Sequence, residues 1–193
     1  MHVRLTDKQE LLDAGKALAS RFCAANGLEL PEVRESKAAE WPFAACAYFR
    51  PTYIAICPPK CAFPGYAGRA WSWPGYVIDR TPYGVVQHEL GHFVDWSLSG
   101  QKDRYFGDYS KGLRKESGED AITGYCPNDA EWFAEIFRLF VTNADLLKRL
   151  RPKVYKRLCQ DVKPTITKPW QEVLAGAPPR TIEMAKKKIS CTL

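Results

Sequence analysis

The sequence predicts an α+β fold with more helix than strand, and three observations carry that expectation. Residues 81–100 and 128–143 combine helical periodicity with capping residues at their ends. Residues 44–50 and 52–57 are short aromatic and β-branched runs divided by Pro51, the pattern of neighbouring strands. Prolines then break the C-terminal third into short helical pieces. With 193 residues, 46% of them hydrophobic, the chain can bury a sizeable core, and no low-complexity segment divides it. Residues 1–193 are therefore read as one domain, with the defining motifs in 81–150.

In chain order, Thr6 and Gln9 can form a capping box for an amphipathic helix running to about Ala25 and ended by Asn26-Gly27. After the two strands, residues 58–75 are rich in proline, glycine and aromatics and read as an irregular loop, and Tyr76–Asp79 as a further strand. Thr81 and Pro82 suit the cap and first position of a helix whose apolar side is Val85, Val86, Leu90, Phe93, Val94 and Trp96, with Gly100 as its stop. Residues 101–125 are polar and glycine-broken, as in a loop flanking a cleft or a lid. Asn128 caps an unusually apolar helix to Asn143, and a further helix follows through Leu150; Pro152 and Pro164 divide the rest.

The chemistry concentrates on Gln87-His88-Glu89-Leu90-Gly91-His92, an HExxH pattern. On a helix, i and i+4 lie on one face, so the His88 and His92 imidazoles can reach one zinc ion (Zn2+). Glu89 is rotated about 100° from His88, which leaves its carboxylate free to act as general base towards a metal-bound water. Gly91 between the ligands is read as a packing residue that lets another backbone approach. Asp95 follows at i+7 and either orients a ligand imidazole or is a solvated helix carboxylate.

Catalytic zinc takes three protein ligands. The remaining histidine, His2, lies at a chain end, where mobility is usual, and the extended HExxHxxGxxH pattern fails at Asp95 and Leu98. A downstream carboxylate is expected instead, the gluzincin arrangement. Glu131 and Glu135 sit at i and i+4 on the apolar helix, and buried carboxylates need a partner or a metal. We read Glu131 as the third ligand and Glu135 as the carboxylate that holds a histidine N–H. Two alternatives stay open: the glutamates exchange roles, or both pair with arginines such as Arg138.

The pair of segments His88-Glu89-Leu90-Gly91-His92-Phe93-Val94-Asp95 and Asn128-Asp129-Ala130-Glu131-Trp132-Phe133-Ala134-Glu135-Ile136-Phe137-Arg138-Leu139 resembles the anthrax lethal factor-like family of zinc metallopeptidases, which includes small bacterial and phage proteins. The resemblance covers about residues 85–150. It implies a zincin fold, with a modest sheet, an active-site helix and a glutamate-bearing helix, and zinc-dependent hydrolysis of a protein or peptide substrate. It assigns the third ligand to Glu131. It also implies a tyrosine ahead of this helix whose hydroxyl assists the oxyanion; Tyr125 stands one residue closer to the glutamate than the family pattern, with Tyr109 and Tyr105 as weaker substitutes. A phage-encoded protein, or one delivered to a host, is compatible with this family.

Composition narrows the setting. No apolar run is long enough for a bilayer, and Met1–Leu30 has no signal-peptide pattern, so a cytoplasmic protein without a membrane partner is expected. Seven cysteines, an odd number, fit a reducing compartment. Cys57 and Cys61, with Cys46 nearby, could hold a small second metal site but read better as free thiols. The net charge of +6 gathers late, at Lys148, Arg149, Arg151, Lys153, Lys156, Arg157 and Lys186–Lys188. No nucleic-acid-binding motif accompanies it, so nucleic acid is not an expected partner. The rival to an enzyme is a catalytically silent binding module that engages nucleic acid or a protein through these basic helices.

Overall fold

Helix α1 (Lys8–Asn26) begins at Asp7, whose carboxylate accepts the N–H groups of Gln9 and Glu10 at 2.8 and 3.2 Å. The cap is therefore Asp7 and not Thr6: a carboxylate satisfies two orphan donors and complements the positive end of the helix dipole. Gly27 ends the helix at φ 65°, with the Leu28 N–H returning to the Cys23 carbonyl. The computed structural model describes residues 3–101, 107–164, 168–175 and 177–190; His2 and Tyr105 lie outside them. The fold is α+β and mostly helical.

A three-stranded sheet follows, with β1 (Glu32–Glu35), β2 (Ala47–Arg50) and β3 (Tyr53–Ile56) in the order β1-β3-β2. β1 runs parallel to β3 and β2 antiparallel to it. β2 and β3 fall inside the two expected runs. β1, Glu-Val-Arg-Glu, has no apolar alternation to announce it. The sheet buries Phe49, Ile54 and Ile56 on its core face, while Trp41, Ala55 and Cys57 form a separate cluster against Tyr48 and Tyr53.

Residues 58–75 contain more order than a loop: β4 (Gly65–Ala67) and β5 (Ala70–Ser72) make a small antiparallel hairpin. Tyr76–Asp79, expected as a strand, is not one. The chain turns at Gly75, where φ is 74°, and the Tyr76 and Val77 carbonyls accept hydrogen bonds from the Arg138 side chain instead of a neighbouring strand. Trp71, Trp73 and Tyr76 pack together, the two indoles stacked at 5.2 Å, with Lys188 above Trp71.

Helix α2 (Pro82–Leu98) is capped by Thr81, whose hydroxyl accepts the Gly84 N–H and donates to the buried Asp79 carboxylate. It packs most extensively on α4 (Asp129–Thr142) and α1, and its Phe93 and Trp96 rings lie against Phe49 of the sheet. The polar segment expected as a loop contains α3 (Asp108–Ser117), anchored by Leu113 in the core and by the Ser110 N–H on Asp95. Asn128 caps α4 as expected, and the helix buries Trp132, Phe133, Phe137 and Phe140. At about 1.5–3 kcal/mol per fully buried large apolar side chain, these four rings make α4 a central element of the core. Four further helices follow among the described residues: α5 (Ala144–Leu150), α6 (Pro152–Asp161), α7 (Pro169–Leu174) and α8 (Pro179–Ser190). Among the described residues no helix is long and apolar enough to cross a membrane.

Candidate metal centre

The site forms where α2 and α4 touch, and a glycine permits the contact. A Cβ on Gly91 would lie 2.8 Å from the Ala134 Cα, a distance real Cβ atoms do not tolerate. Gly91 therefore lets the α4 backbone come close enough for short carboxylates on one helix to meet imidazoles on the other. α2 contributes His88 and His92 from one face, with rings 5.0 Å apart and nearly perpendicular. α4 contributes Glu131 and Glu135. Glu131 stands in the first turn, and its own backbone N–H is held by the Asn128 cap at 2.9 Å, so the cap that starts the helix also fixes the position of this carboxylate.

His88 is held at both ring nitrogens: Nε2 lies 2.9 Å from Glu131 Oε2, and Nδ1 lies 2.8 Å from Glu135 Oε1. His92 Nε2 lies 3.6 Å from the same Glu131 oxygen. Among the described residues, the grouping of three or more metal-ligating side chains is His88, His92 and Glu131, with donor atoms within 4.8 Å of one another. Tetrahedral zinc with bonds of about 2.0–2.1 Å separates its ligand atoms by about 3.3 Å, a value that falls between the two measured edges. Two imidazoles and one carboxylate are also the donor chemistry zinc accepts. The residues present thus fit a zinc ion, with His88, His92 and Glu131 as the donors that would hold it.

The same contacts set the electrostatics. Burial disfavours a charged His88, but the Glu131 and Glu135 carboxylates outweigh it and raise the imidazole to about 10. Burial likewise works against an ionised Glu131, yet the two histidines hold it at about 2. Glu135 is kept well below the usual carboxylate range against its burial, by Arg138 and His88. Glu89 is 7% exposed, and burial raises its pKa, which makes it more basic than a solvated glutamate.

The chain matches no known protein family, no curated protein and no solved structure.

Tyr125 is 47% exposed, and its ring centroid lies 5.9 Å from that of His88. Partial burial and the Glu131, Glu89 and Glu135 charges raise its pKa, so at neutral pH it is a phenol with a proton to donate. Tyr109 is committed elsewhere, its hydroxyl donating to Asp161 at 2.6 Å. Asp95 is neither solvated nor on an imidazole N–H: it is fully buried and accepts the Ser110 N–H at 2.9 Å, tying α3 to α2. Glu119 caps α6 through the N–H groups of Lys153 and Val154. The arginine-pairing alternative for the glutamates applies to one of them, since Arg138 binds Glu135 at 3.0 Å while Glu131 turns to the histidines.

The six described cysteines are free thiols. Cys46, Cys57 and Cys61 come together, with the Cys57 N–H on the Cys46 carbonyl and the Cys61 thiol on the Cys57 carbonyl. Cys46 also lies within electrostatic reach of His88 and Glu89. Nothing in the sequence signals that proximity, because Cys46 precedes a strand about forty residues before His88 on α2.

Proposed function

We propose that the protein is a zinc-dependent metallopeptidase of zincin type, hydrolysing peptide bonds in a protein or peptide substrate. One observation supports this reading above the others: a carboxylate and two imidazoles from separate helices converge, while an adjoining glutamate remains outside the ligand set. A purely structural ion-pair cluster has no need of Glu89, a buried carboxylate of raised basicity beside two histidines. The resemblance of residues 85–150 to the lethal factor-like metallopeptidases favours the same chemistry.

Zinc, when bound, supplies Lewis acidity that lowers the pKa of the attacking water and polarises the scissile carbonyl. Glu89 accepts the water proton and returns it to the leaving amine. Glu135 fixes the His88 tautomer by accepting from Nδ1, which leaves Nε2 as the donor atom. The Tyr125 hydroxyl donates to the developing oxyanion.

The test is metal content together with turnover on a mixed peptide library. The purified protein should carry one zinc per chain, and a chelator should remove activity reversibly while leaving the fold largely intact, since a core of this size does not need metal to form. Glu89→Gln should keep zinc and lose turnover. A zinc-loaded Glu89→Gln protein with full peptidase activity would overturn the mechanism, and wild-type protein without zinc would overturn the site.

A further inference from the structure

We infer that Arg138 is a positioning residue for the metal centre: its guanidinium fixes the Glu135 carboxylate, and through it the His88 ring, to the chain segment at Tyr76 and Val77. This inference rests on the zinc reading of the site.

Arg138 is fully buried, and taking a guanidinium out of water costs several kcal/mol that hydrogen bonds must offset; its two terminal nitrogens make those bonds, while Nε has no partner among the described residues. Its bonds are directed to three places. Nη1 donates to the Tyr76 carbonyl at 2.9 Å, and Nη2 donates to the Val77 carbonyl at 2.5 Å and to Glu135 Oε2 at 3.0 Å. Glu135 divides its two oxygens: Oε2 meets Arg138, and Oε1 meets His88 Nδ1 at 2.8 Å. The backbone of residues 76–77, a planar cation, a carboxylate and an imidazole therefore form one hydrogen-bonded chain that ends at Nδ1 of His88, on the ring of a proposed ligand.

The physical consequence lies in the shape of the guanidinium. A carboxylate on two or three rotatable bonds can satisfy an imidazole N–H in many orientations. A rigid fork anchored on two backbone carbonyls selects one plane for it, and losing a group that holds a ligand imidazole in this way typically costs about 10- to 100-fold in metal affinity. A lysine keeps the charge but offers a point donor on a flexible stem, and it cannot reproduce the fork. Arg138 and Glu135 lie one turn apart on α4, so the same helix that presents Glu131 also presents the brace for His88.

The test is a double-mutant cycle on zinc affinity, read by competition with a chromophoric chelator, using Arg138→Lys, Glu135→Ala and the double variant. If Arg138 acts through Glu135, Arg138→Lys weakens zinc binding by about 3- to 10-fold, Glu135→Ala by about 10- to 100-fold, and the double variant equals Glu135→Ala. The visible absorption of the Co2+-loaded protein should shift in Arg138→Lys, reporting an altered ligand geometry that a remote packing defect would leave alone. Should Arg138→Lys fail to fold, Arg138→Gln enters the same cycle, with far-ultraviolet circular dichroism confirming its fold. Equal losses from the Arg138 change in both backgrounds, or no loss in either, overturn the inference while leaving the zinc site intact. A wild-type protein that binds no zinc overturns the site itself and the inference with it.

Discussion

Gly91 on α2 and Ala134 on α4 approach so closely that a Cβ on the glycine would sit 2.8 Å from the Ala134 Cα. That approach brings the two helices within reach for Glu131 and Glu135 to meet His88. Gly91→Ala should cost about 1–3 kcal/mol of stability, the range of an overpacked core, although alanine is the better helix former. It should also weaken zinc binding, because parting the helices lengthens the Glu131–His88 distance of 2.9 Å. Chemical denaturation and chelator competition measure the two effects. A Gly91→Ala protein with wild-type stability and affinity would show that the contact does not set the site.

The two carboxylates of α4 should separate by magnitude. Glu131→Ala removes a donor and should nearly abolish zinc binding, whereas Glu135→Ala removes a hydrogen bond to His88 and should weaken it about 10- to 100-fold. Elemental analysis after dialysis, with competition titrations, ranks them. The opposite ranking exchanges their roles.

Tyr125→Phe removes only the hydroxyl. Zinc should remain bound, and kcat should fall by about 10²- to 10³-fold, the cost of losing one oxyanion donor. A Tyr125→Phe protein with undiminished kcat would assign the oxyanion role to another group.

In protein stripped of metal, the site should impose a pH dependence on stability. His88 is raised from 6.5 to about 10, because the bonds from Glu131 and Glu135 outweigh a burial that acts in the opposite direction. The folded state then holds this proton more tightly than the unfolded chain does, so the stabilisation is complete below about pH 6.5 and is lost as pH rises through about 10. Glu131 is lowered from 4.5 to about 2, so its contribution is complete above about 4.5 and is lost as pH falls through about 2. Denaturation of the metal-free protein across this range, compared with metal-free His88→Gln, reads both limbs. An alkaline limb identical in the two proteins excludes His88 as its source.

Much of the site was legible because its parts are local. HExxH needs only helical geometry to place His88 and His92 together, and Thr81, Asn128 and Asn143 announce helix ends through their side-chain oxygens. The α+β class likewise followed from periodicity. Less was legible where order depends on partners distant in sequence. β1 is a strand because β3 pairs with it, and Asp95 is buried because α3 offers it the Ser110 N–H. Tyr76–Asp79 has strand-like residues, but the Gly75 turn and the Arg138 side chain take the backbone groups a strand would need.

The candidate zinc donors could be read along the chain, since the i, i+4 spacing on α2 and the pair of acids on α4 are properties of single helices. How those helices meet is a matter of packing. The division of labour between Glu131 and Glu135 depends on which carboxylate oxygen reaches Nε2 and which reaches Nδ1 of one ring. The placement of Arg138 depends on two carbonyls 62 and 61 residues away, at Tyr76 and Val77. Periodicity fixes the face of a helix, but the distance between two faces is set by packing, and here it is set by the absence of a side chain at Gly91.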